Sequence, residues 1–69
     1  MNQIDIRKNI IQNFKNTNEK EIEDSINASI TDGEEITLPG LGVFFEILWK
    51  NSDNDTKNSI LKIIKDNLN

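Results

Sequence analysis

The chain has 69 residues, with no Cys and no His, and its eight basic against twelve acidic residues give a formal charge of −4. That length leaves room for one core and no second domain, so residues 1–69 are read as a single helical domain. Disulfides and the usual thiolate or imidazole metal sites are excluded, and the acidic balance disfavours nucleic acid, whose affinity rests on neutralising phosphates with Lys and Arg.

A chain this short buries a modest share of its surface, and its hydrophobic gain only just offsets chain entropy. Close helix packing or self-association must supply the remainder. No apolar run follows a basic cluster at the N-terminus, and no stretch approaches the roughly 20 apolar residues of a membrane span. The expectation is therefore a soluble intracellular protein with no signal peptide and no membrane partner.

The first element is read over Ile4–Phe14. Ile6, Ile10, Ile11 and Phe14 form one face of an amphipathic helix, and Arg7, Lys8, Asn9, Gln12 and Lys15 form the other. Asn16-Thr17-Asn18 ends it, because short polar side chains compete with the helical backbone. Asn18, with Glu21 three residues on, reads as the N-cap of a second helix. Ile22, Ile26 and Ile30 then recur every four residues beside Ser25 and Ser29, and Gly33 is the expected stop.

The connector, residues 34–42, holds Leu38-Pro39-Gly40. Proline fixes its own φ and is expected to bar the right-handed helical region to Leu38, which predicts a rigid turn with Pro39 near a helical first turn. The run from Leu41 to Trp49 is interrupted only by Glu46 and is ambiguous by periodicity. A helix is preferred, since a strand would find just Glu35-Ile36-Thr37-Leu38 to pair with. The alternative is an α+β arrangement with a hairpin in residues 35–49. The last helix is capped by Ser52 or Asp53 and buries Ile60, Leu61, Ile64 and Leu68, with Ile63 at the margin. The predicted fold is all-α, a compact bundle of four short helices with the third at its centre. Such an all-round apolar helix must be enclosed by its neighbours or by a second copy.

Chemistry finds little to work with. Ser25, Ser29, Ser52 and Ser59 lack a histidine or another placed base, and they read as caps or small packing residues. Asp32, Glu34 and Glu35 read as a solvated acidic loop rather than a desolvated acid–base pair. Asp53-Asn54-Asp55 opens like a calcium loop, but its sixth position is Asn58 and its twelfth Ile64, so capping explains the acids better. Leu38-Pro39-Gly40-Leu41-Gly42 fits neither a phosphate loop nor a dinucleotide fingerprint. No catalytic, metal or cofactor residue is assigned, and no enzyme activity is expected. Phe44, Phe45, Leu48 and Trp49 are the candidate surface for a partner or for self-association. Arg7, Lys8 and Lys15 are the candidate phosphate-facing group.

One central stretch has a distinctive signature: Asp32-Gly33-Glu34-Glu35, then Leu38-Pro39-Gly40-Leu41-Gly42-Val43, Phe45-Glu46 and Trp49-Lys50-Asn51. With Ile6-Arg7 and Asn13 upstream and an agreeing length, it resembles the small, acid-soluble spore protein I family of endospore-forming Firmicutes. Phe44 stands where that family's pattern has an aliphatic residue. The resemblance implies a product of the developing forespore that is kept in the spore core, and it carries over no catalytic residues. The expected role is structural or interactive, as a homodimer or with another spore-core protein. The competing reading is a nucleic-acid binder with a histone-like helix–helix–hairpin arrangement, which lacks that fold's long basic arm.

Overall fold

The computed structural model describes residues 5–68. Four α-helices follow one another: α1 (Ile6–Phe14), α2 (Glu19–Asp32), α3 (Leu38–Lys50) and α4 (Asn54–Leu68), with a single 3-10 turn at Glu35–Thr37 leading into α3. There is no strand among the described residues, so the all-α reading holds and the alternative hairpin in residues 35–49 does not form.

The caps explain the boundaries. Asp5 Oδ1 accepts from the Lys8 amide at 3.0 Å and starts α1 two residues later than the sequence pattern suggested; Ile4 lies outside the described residues. The Thr17 hydroxyl donates to the Phe14 carbonyl at 2.8 Å and closes that helix. Asn18 caps α2 by accepting from the Glu21 amide at 2.8 Å. Gly33 ends α2 at φ 63°, where an L side chain is strained, and its amide returns to the Ser29 carbonyl at 3.3 Å. Asp53, rather than Ser52, caps α4: the Thr56 amide donates to Asp53 Oδ1 at 2.8 Å, while the Ser52 hydroxyl donates back to the Leu48 carbonyl.

The expectation at Leu38 fails. Leu38 lies in the right-handed helical region at φ −60° and ψ −40°, and α3 begins there, with Pro39 in its first turn. The steric penalty ahead of proline is a bias and not a prohibition. The preceding 3-10 turn already runs in the helical direction, and the missing proline N–H belongs to a turn whose donors have no partner within the helix. The connector therefore shrinks to residues 33–37. Thr37 Oγ1 secures it by donating to the Glu34 carbonyl at 2.7 Å and lying 3.3 Å from the Ser29 carbonyl.

The third helix is the hub, as its composition implied: α1 and α2 both pack on it. Gly40 faces α1, and a Cβ there would make an ordinary van der Waals contact, 3.7 Å from Ile10 Cδ1. Phe14 meets Phe44 edge to face, with ring centroids 5.0 Å apart. The packing is shallow, however. Val43, 7% exposed, is the one buried hydrophobic residue among those described. The accessible surface is 6084 Å², against about 4,400 Å² for a compact monomer of this mass. The radius of gyration is 13.7 Å, against about 11 Å for a compact chain of this length.

Candidate functional site

Two contact systems on α3 define the surface the molecule presents. The first is a clamp. Arg7 of α1 donates from Nε to Glu46 Oε1 at 2.6 Å and from Nη2 to Oε2 at 3.0 Å, a bidentate pair between residues 39 apart in sequence. Hydrogen bonding to Arg7 holds the Glu46 carboxyl below the ordinary carboxylate value against the opposing effect of desolvation, with further help from the Arg7 charge and from Lys50. The same hydrogen bond raises Arg7 above its already high value. The pair is solvent-facing, so its worth lies in fixing the angle and register of α1 on α3 more than in bulk stability.

The second is an apolar groove of about 610 Å³ between α1, α2 and α3. Its walls are Ile11 and Phe14 from α1, Ile22 and Ile26 from α2, and Leu41, Phe44, Phe45, Ile47 and Leu48 from α3. The sole charged side chain lining it is Lys15. The isoleucine ridge of α2 and the apolar face of α3 supply its walls. Hydrocarbon walls without convergent polar groups suit an apolar helix face and offer no geometry for bond-making.

The four residues expected to form a partner surface divide. Phe44 is half-buried against Phe14 and supports the groove wall. Phe45 is 42% exposed and Leu48 47% exposed, and both line the groove mouth. Trp49 is half-buried: it stacks on Phe45 at a centroid distance of 5.9 Å, and Lys57 Nζ of α4 lies 5.2 Å from its ring centre. A smaller cleft between Phe45, Trp49 and Leu61 continues this second aromatic pair toward α4.

The three candidate phosphate-facing residues do not act as one group. Arg7 is engaged by Glu46, Lys15 borders the apolar groove, and Lys8 stands exposed on α1. Among the serines, Ser59 donates to the Asp55 carbonyl at 3.2 Å within α4, and Ser52, between α3 and α4, donates back to the Leu48 carbonyl of α3. Asp32, Glu34 and Glu35 are exposed. Asp53 is held below its ordinary value by hydrogen bonds from Thr56, as befits a cap. Among the described residues no cluster of carboxylates could hold a metal ion, and no helix is long and apolar enough to cross a membrane.

Sequence reasoning missed the Arg7–Glu46 clamp. The available signal was Glu46 itself, a lone charge in an apolar run, which asks for a partner. It also missed the part of Ile22 and Ile26 in the groove, because periodicity shows which face is apolar and not what lies opposite.

Comparison with known proteins agrees with the central signature. The family model described as small, acid-soluble spore protein I matches residues 4–68. Proteins named small, acid-soluble spore protein I from Halalkalibacterium halodurans, Bacillus velezensis and Bacillus subtilis are 41%, 38% and 37% identical to this chain. The alignments cover 91%, 94% and 94% of this chain and 93%, 92% and 92% of those relatives. No solved structure matches. The chain belongs to the small, acid-soluble spore protein I family, and its role is associated with the spore.

Proposed function

We propose that this protein is a non-enzymatic structural or interaction protein of the spore core, made in the forespore and acting as a homodimer. The observation that carries the reading is the groove: nine hydrocarbon or aromatic side chains and a single lysine form a trough left open in the monomer. An apolar trough of this kind in a protein of the aqueous phase marks an interaction surface. The family supports the setting, and the chemistry of the groove supports the mode of action, which is association through buried area.

Sedimentation of the full chain at micromolar concentration tests it. The expected result is a reversible dimer; a strictly monomeric species across that range overturns the reading. A parallel titration with duplex DNA at low and moderate salt addresses the competing nucleic-acid role of Arg7, Lys8 and Lys15. Little binding is expected. Tight binding that falls steeply with salt, the mark of phosphate neutralisation, would replace the proposal.

A further inference from the structure

Where α2 gives way to α3, a smaller cleft of about 230 Å³ opens on the surface. Ile30, Leu38 and Leu41 supply its aliphatic wall, and the charged side chains on its lining are Glu34 and Glu35. Leu41 is the one residue it shares with the α1–α2–α3 groove. Neither carboxylate enters an ion pair among the described residues. The sequence offers none nearby, since from Glu21 to Trp49 there is no Lys or Arg. The site is held in shape by Thr37, whose hydroxyl bonds to the Glu34 carbonyl and lies 3.3 Å from that of Ser29, tying the 3-10 turn to α2. In the same turn Ile36 is 82% exposed, the most exposed large hydrophobic residue among those described.

We propose that this cleft receives a Lys or Arg side chain presented by a different, basic protein. The aliphatic stem lies on Ile30, Leu38 and Leu41, and the cationic head meets the Glu34 and Glu35 carboxylates. Side chains of that kind are divided in the same way, with an apolar stem to bury and a charged head to leave in a polar setting. Size agrees: pockets for whole small molecules start at about 300 Å³, so a cleft of about 230 Å³ suits a single side chain. Charge agrees, because both lining charges are negative and unpaired, and a cation is their complement. Ile36 separates a peptide from a free amine: an apolar neighbour of the cationic residue can cover it, and a small amine cannot. Net charge separates a basic partner from a second copy, which would bring another −4 toward an acidic surface. The cleft stands apart from the proposed dimer groove and does not depend on it.

The test is a titration of the isotope-labelled full chain, followed by amide and methyl chemical shifts. The probes are the capped peptide acetyl-Leu-Lys-Leu-Lys-Leu-amide, its counterpart with Gln for Lys, and free 1,4-diaminobutane. With the lysine peptide, shifts are expected at the amides of residues 34–37 and the methyls of Ile30, Ile36 and Leu38, weakening as salt rises. The glutamine peptide should bind at least fivefold more weakly. The double variant Glu34→Gln/Glu35→Gln should lose at least fivefold toward the lysine peptide. Ile36→Ser should lose at least twofold toward that peptide and nothing toward diaminobutane. All three positions are exposed and Glu34 makes no side-chain cap bond, so helix content by circular dichroism should be retained. Shifts centred on Phe45 and Leu48, equal binding of the glutamine peptide, or no shifts at all would overturn the site. Diaminobutane binding as tightly as the peptide would overturn the protein partner in favour of a free amine. The same shifts arising from higher concentration of the chain alone would overturn it in favour of a second copy.

Discussion

The two sides of α3 are built to different standards. Toward α1 the contact is specified several times over, by the Arg7–Glu46 fork, the Phe14–Phe44 edge-to-face pair and buried Val43. Toward α4 it consists of Lys57 over Trp49 and an open cleft beside Leu61, with much of the α4 stripe left in water. Hydrophobic residues are plentiful on both sides. What separates them is whether polar geometry and ring packing fix one arrangement, and the contrast shows that apolar content alone does not close a fold. Even on the better-specified side the groove between α1, α2 and α3 stays open, and that is where intermolecular packing has room to act.

The largest expected effect lies on the closed side. Phe44→Ala removes the partner of Phe14 and one groove wall together, and should destabilise by about 2–3 kcal/mol, below the usual range for a fully buried ring because Phe44 is half-buried. Thermal unfolding followed by circular dichroism measures it; a change under 1 kcal/mol would mean that the α1–α3 contact is not the anchor described. Next comes Gly33→Ala, which forces an L side chain into positive φ at the end of α2 and should cost about 1 kcal/mol on the same assay.

Gly42→Ala sharpens the comparison in the opposite direction. A Cβ at Gly42 meets nothing within 4 Å, so the helix-propensity gain of about 0.5–1 kcal/mol should appear as added stability. A loss instead would place another chain's atoms against Gly42 in solution.

The smallest effect concerns pH. The Glu46 carboxyl is depressed in the folded state, so the clamp's contribution is present above the carboxylate's unfolded value and disappears as pH falls through the lower folded one. The raised guanidinium of Arg7 stays charged throughout any accessible range. Glu46→Gln should therefore flatten the acid limb of the stability profile and leave the neutral-to-alkaline limb parallel to that of the parent. An unchanged acid limb would show that the fork contributes nothing there.

Much of the fold was legible in the sequence because its determinants are local. Asn18, Gly33 and Asp53 each satisfy or release backbone groups within three or four residues, and all three stand where the pattern put them. The start of α3 was not legible. A pairwise bias at Leu38-Pro39 was overridden by the 3-10 turn before it. The candidate surface was half legible: Phe45 and Leu48 line the groove mouth, but nothing near them in sequence announces that Ile22 and Ile26 form the opposite wall. Nor could periodicity foretell how open the trough would stay. It marks a face as apolar and carries no information on whether the chain is long enough to cover it.

The claim that the open groove on α3 is completed by another chain is tested most directly by thermal unfolding over a hundredfold range of protein concentration. A fold completed by self-association has a midpoint that rises with concentration, because the partner binds the folded state and not the unfolded one. That rise is the predicted result. A midpoint that stays constant across the whole range would contradict the account.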